Sequence, residues 1–154
     1  MTVRHGLKAF GCLLALLTVW LAFDRKDTAS MDLTPFEWKN RLLIIFAPDS
    51  RHPYFKQIQA EISTRRAGVA DRDLVVFEVL ERDPSQMNGS PLSLSDADAL
   101  RERFEIPRNT HALILVGKDG GVKLKRSEPV SLAEVFELID SMPMRRNEMR
   151  QKKK

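Results

Sequence analysis

Residues 44–55 read IIFAPDSRHPYF: the end of an apolar run, a polar break, and the opening of a helical pattern. The run, Leu42 to Phe46, is continuously apolar, as expected of a strand covered on both faces. Beyond the break, Phe55, Ile58 and Ile62 fall at i, i+3 and i+7, with Pro53 placed for a first helical turn. In small α/β domains, ligands and reacting groups gather where a buried strand hands over to a helix N-terminus. APDSRHP, residues 47–53, is therefore the first stretch to read for chemistry.

Working outward, Leu74–Leu80 is a second, valine-rich strand, and RDPSQMNGSPLS (82–93) reads as a loop without periodicity. Ser95 and Asp98 form a capping pair for a helix whose buried face is Ala97, Leu100 and Phe104, with Pro107 beyond its end. Ala112–Val116 is a third apolar strand. GKDGG (117–121) then reads as a turn with positive φ from Asp119 to Gly121, leading into an edge strand in which Val122 and Leu124 alternate with Lys123 and Lys125. Ser131 and Glu134 make a capping box for a last helix lined by Leu132, Val135, Phe136 and Ile139 and ended by Pro143. The expected order is strand-helix-strand-helix-strand-strand-helix. That is an α/β domain on a mixed four-stranded sheet, and it resembles the thioredoxin fold.

A chain of 154 residues, 43% hydrophobic and 30% charged, suits one globular domain. No internal repeat or second domain is visible. The net charge of +4 is unevenly spread. Residues 145–154 hold six basic residues against one acid, and residues 1–30 four against two, while residues 31–144 hold 15 against 18. The body is mildly acidic and offers no basic face for a nucleic acid. Residues 1–30 pair Arg4 and Lys8 with the uncharged stretch 9–23, the form of a signal peptide. As a helix that stretch is about 22 Å long, short of the roughly 30 Å hydrocarbon core, and an uncleaved N-terminal anchor is the alternative. Either way the positive start stays in the cytoplasm and the domain, 31–144, is exported: periplasmic, secreted, or held on the outer side of the inner membrane. Residues 145–154 read as a solvated basic tail, able to meet anionic lipid or an acidic partner. Membrane contact is confined to these two ends.

The stretches FEWKNRLLIIFAPD, GVADRDLVVFEV, LILVGKDGGVKLKR and LIDSMPMRRNEMR resemble the family known as domain of unknown function 4174, found in exported bacterial proteins and in animal secreted proteins such as equarin and the sushi-repeat group. The resemblance runs from about Leu33 to Arg150, and MPMRRNEMR is its most distinctive segment. It implies a thioredoxin-like fold and export, and no established activity.

Cys12 is the chain's single cysteine and lies in the leader, too early in the apolar run for a lipoprotein. The exported part has no thiolate, disulfide or cysteine metal ligand. Laid on a thioredoxin-like frame, Ser50-Arg51-His52-Pro53 stands where two cysteines would frame the turn, and hydroxyl and imidazole cannot replace them in thiol–disulfide exchange. What is left is a helix N-terminus flanked by Arg51 and His52, either an anion site or an ordinary end capped by Asp49 or Ser50. His111 opens the third strand, where thioredoxins place a cis-proline. Topology brings it to the same end of the sheet as His52. With Asp49 the two histidines make a candidate metal or acid–base pocket, against the alternative of two unrelated histidines. ADRD (70–73) reads as a turn whose Arg72 pairs locally, and GKDGG lacks the ending of a phosphate loop. The expectation is an exported, non-catalytic thioredoxin-like module without a cofactor, binding a protein or an envelope component. A cysteine-free enzyme, or a metal- or anion-binding protein using His52 and His111, is the alternative.

Overall fold

The computed structural model describes residues 31–152. The leader readings, Cys12 and the last two residues lie outside the described residues. After a 3-10 turn at Thr34–Phe36 come β1 (Arg41–Ala47), α1 (Pro53–Thr64), α2 (Arg66–Asp71), β2 (Leu74–Leu80), β3 (Gln86–Met87), β4 (Ser90–Pro91), α3 (Leu94–Arg103), β5 (Ala112–Val116), β6 (Val122–Arg126), α4 (Leu132–Ser141) and α5 (Pro143–Lys152). One mixed sheet runs β4-β3-β2-β1-β5-β6. β1 is parallel to β2 and antiparallel to β5. The expected four strands form its main body. The sheet has six because the loop at 82–93 folds back as a two-residue hairpin, turned by Asn88 and Gly89 at φ 48° and 80°. Positive φ at both positions is what a type I′ turn requires.

The strand pleat divides β1 between two cores. Leu42, Ile44 and Phe46 pack with Phe77, Val79, Ile114 and, from α3, Ala97 and Leu100. Leu43, Ile45 and Ala47 pack with Phe55 and Ile58 of α1 and Leu132, Val135 and Ile139 of α4. Burial on both faces is why the three central strands read as apolar runs, interrupted in β2 by Glu78, and each fully buried apolar side chain contributes roughly 1.5–3 kcal/mol. Among the described residues no helix is long and apolar enough to cross a membrane.

Several local expectations are corrected. Helix α3 is capped by Ser93, which accepts from the Asp96 N–H, in place of the Ser95–Asp98 pair. The Ser131–Glu134 capping box is present as expected. Of residues 119–121 only Gly120 has positive φ, at 74°, and a Cβ there would lie 2.9 Å from the Glu37 carboxylate. Arg72 pairs locally, donating to the Gly68 carbonyl at 3.0 Å, but its ion pair is long-range: it reaches Asp140 at 2.5 Å across the fold and lies over the Phe136 ring.

The largest correction concerns the tail. Pro143 ends α4 and opens α5, so residues 145–152 form a helix docked through Arg145 and Glu148, with Arg146, Asn147, Arg150, Gln151 and Lys152 still exposed, rather than a frayed solvated end. Arg145 is 2% exposed and bonds the carboxylates of Asp71 and Asp140 and the Asp71 carbonyl. Glu148 takes both terminal nitrogens of buried Arg41 and the Lys118 ammonium, at 2.9–3.2 Å. Met142 packs on the core, whereas Met144 is exposed.

Candidate functional site

Beyond Ala47, at the carboxyl end of β1, the chain enters a loop whose amides are answered by carboxylates. The Ser50 N–H donates to Asp83 at 2.7 Å and the Arg51 N–H to Asp49 at 2.9 Å. Asp49, itself buried, receives two further bonds from Arg82, at 2.7 Å and 3.2 Å. Arg82 holds its carboxyl below the ordinary value, assisted by the Arg51 N–H and outweighing burial. Arg82 also donates to Asn109, which is in the left-handed region at φ 58° and whose own N–H goes to Glu81. The loops after β1 and β2 and the entry to β5 are thus tied into one polar rim.

Helix α1 begins at Pro53 with His52 as its N-cap residue, and no side chain caps it. Neither Asp49 nor Ser50 fills that role, because both are engaged on the loop. The His52 ring turns inward and stacks on the His111 ring, centroids 5.3 Å apart and planes within 4°. Tyr54, the chain's single tyrosine, stands edge-on to both rings at 5.3 Å. His111 Nδ1 lies 3.4 Å from the Ser127 carbonyl, which can only accept, so the proton sits on Nδ1. That leaves His111 Nε2 and His52 Nδ1 buried without partners. Burial pushes the His111 pKa below its ordinary value, and the neighbouring His52 adds to the effect, against the Ser127 bond.

The structure therefore brings His52 and His111 together and holds Asp49 away from them, on Arg82. Among the described residues no three His, Cys, Asp or Glu side chains gather as a metal-ligand set, so the pocket with Asp49 as third ligand does not form. Ser50 and Arg51 contribute backbone donors and an exposed guanidinium at the rim. Three participants were missed from sequence: Tyr54, Arg82 and Asn109. Arg82 was within reach of reasoning, since Ala47 and Leu80 are paired in register and Asp49 and Arg82 each lie two residues beyond.

Comparisons with known proteins show the family and the fold that carry this site. Coiled-coil domain-containing protein 80 of Danio rerio is 30% identical over 142 residues, covering 82% of this chain and 16% of that protein. Human Sushi repeat-containing protein SRPX2 is 27% identical over 130 residues, covering 82% of this chain and 28% of that protein. The chain spans less than a third of either relative's length. Among solved structures, reduced Plasmodium vivax 2-Cys peroxiredoxin superposes with TM-score 0.56 at 17% identity, over 75% of this chain and 84% of that one. Plasmodium yoelii thioredoxin peroxidase I superposes with TM-score 0.55 at 18% identity, over 75% and 79%. Peroxiredoxins have a thioredoxin fold, and the likeness shows that fold here. With its family match running over residues 32–148, the chain belongs to the family described as Domain of unknown function (DUF4174).

Proposed function

We propose that the protein is an exported, thiol-independent thioredoxin-like module. It presents the carboxyl end of β1 to a protein or envelope component instead of catalysing redox exchange. One observation carries this reading: at the turn that thioredoxins frame with two cysteines, the chain has Ser50 to Pro53, and beside it the His52–Tyr54–His111 cluster inside an Asp49–Arg82 rim. Exchange needs a thiolate to attack and a second sulfur to accept. The site instead offers the amphipathic, partly exposed ring of Tyr54 beside the exposed guanidiniums of Arg51 and Arg82. Recognition surfaces are rich in such groups. The loop amides and Arg82 are already committed to Asp49 and Asp83, which weighs against a free anion as the ligand. Export is supported by the leader sequence and by the exported proteins that the family resemblance brings in.

The test is a photo-crosslinking residue in place of Arg51 or Tyr54, with Arg126 as a control at the sheet edge. Adducts of defined mass from the first two sites alone are the expected result; adducts equally from Arg126 would sink the assignment. In parallel, the protein should neither reduce insulin nor turn over peroxide above a boiled control, and activity in either assay would overturn the thiol-independent reading.

A further inference from the structure

A second concavity lies away from the histidines, between α1–α2 and the hairpin of β3 and β4, with a volume of about 730 Å³. Its size is that of a binding groove. Leu74 and Val76 of β2 form the floor, and Ile62 and Val69 extend it along the helices. Lys56 near the start of α1 and Arg66 at the start of α2 stand on the groove. Both are exposed, and neither has a carboxylate partner among the described residues. This contrasts with Arg41, Arg72, Arg82, Arg101, Lys118 and Arg145, all of which are paired. The opposite wall carries the side-chain amides of Gln86 and Asn88; Gln86 donates to Glu78, so the groove's lining sets two cations against one carboxylate.

We propose that this groove docks an extended acidic peptide in which one apolar residue lies between two carboxylates. The unpaired cations supply charge complementarity, and the apolar floor supplies an anchor site. Amide walls can bond a peptide backbone, whereas against an acyl chain they would lose their water without replacement. From Lys56 to the end of α1 at Thr64 the helix rises about 12 Å, and Arg66 opens α2 two residues on. An extended peptide covers roughly 13 Å in four residues and turns every second side chain to the same face. Acids at positions i and i+4 flanking an apolar residue at i+2 are thus on the scale of this groove, for Lys56, Arg66 and the Leu74–Val76 floor to receive.

The experiment uses the full chain, ¹⁵N-labelled, titrated at physiological salt with the blocked peptide Glu-Ser-Leu-Ser-Glu and its Gln-Ser-Leu-Ser-Gln counterpart. Shifts should map to Ile62, Val69, Val76 and Gly89, and the Gln peptide should bind at least tenfold more weakly. Lys56→Glu/Arg66→Glu should weaken the acidic peptide at least tenfold, while the equal charge change Lys39→Glu/Arg126→Glu should not. Ala60→Trp, a substitution at an exposed position of α1 that fills the groove, should block binding in a protein that remains folded by its spectrum. Shifts elsewhere, equal loss in the control pair, or no binding would overturn the proposal. So would binding to phosphatidylglycerol vesicles through Lys56 and Arg66 without binding to the peptide.

Discussion

The two ends of β1 treat polar groups in opposite ways. At its first residue, Arg41 is buried and held by Glu148, with Arg145, Asp71, Asp140, Arg72 and Lys118 filling in around it. Only Arg41 Nε and Arg72 Nε are left there without an acceptor. Just past its last residue, two imidazoles are stacked with a ring nitrogen each unpartnered, and the nearby ion pairs involve the exposed side chains of Arg51 and Arg82. The first arrangement locks a helix in place. The second buries two imidazole nitrogens without partners beneath an accessible rim of Tyr54, Arg51 and Arg82. The comparison also reassigns MPMRRNEMR, the segment that most distinguishes the sequence. Its Arg145 and Glu148, one helical turn apart, close the far end of the sheet, so the segment's distinctiveness reports packing rather than a binding site.

Breaking the saturated end should have the largest effect. Arg145→Met removes a guanidinium that is almost wholly buried and bonded to two carboxylates and a carbonyl. Removing one partner of a buried pair costs about 3–5 kcal/mol, and Asp71 and Asp140 are partly exposed, which points to the lower end. Urea denaturation should show a loss of about 3 kcal/mol, with α5 exchanging its amides faster than α4. A loss below about 1 kcal/mol would mean that α5 is held by something other than its charges.

That docking was hidden from sequence for a physical reason. Helix α4 carries an apolar stripe, Leu132, Val135 and Ile139, and its period is visible. In α5 the inward residues are Arg145 and Glu148, indistinguishable by composition from a solvated face until Arg41, more than a hundred residues away, is beside them. The β3–β4 hairpin was missed because two-residue strands have no period, although Asn88-Gly89 is itself a turn signal. The three central strands were legible because burial on both faces writes a nearly continuous apolar run, interrupted in β2 by Glu78 alone. The meeting of His52 and His111 was legible from topology alone. The exclusion of Asp49 was not, because it depends on Arg82, 33 residues on, competing for the same carboxylate.

An intermediate effect is expected from the unsaturated end. His111 is held in its neutral form by burial, with its pKa below the ordinary value. A histidine of lowered folded-state pKa stabilises the fold fully above its unfolded value near 6.5, and that contribution is lost as pH falls below about 6.5. Melting temperature should therefore drop as the pH is taken from about 7.5 to 5. His111→Phe should flatten that part of the profile, because the variant has no imidazole there to protonate. An unchanged slope in the variant would show that protonation at the stacked pair does not oppose folding. A change in crosslinking yield from the Tyr54 site over the same pH range would connect the pair to recognition.

The smallest effect sharpens the comparison from the saturated side. Asp71 is pulled down from 3.8 to about 2, first by Lys152 and then by Arg145. The side chains of Lys152 and Asp71 are 57% and 45% exposed, and exposed pairs typically contribute no more than about 1 kcal/mol because water and salt screen them. Lys152→Ala should thus leave urea stability at neutral pH within about 0.5 kcal/mol of the parent, while the Asp71 carboxyl, followed by ¹³C NMR, titrates measurably higher. It should stay below the usual carboxylate range, because Arg145 is still bonded to it. The lowered Asp71 value stabilises the fold above its unfolded pKa near 3.9, and that contribution is lost as pH falls toward 2. The two proteins should therefore approach each other in stability at low pH. A large loss of stability at neutral pH would make Lys152 part of the lock on α5. An unmoved Asp71 would assign its depressed pKa to Arg145 alone, the buried member of the pair of cations.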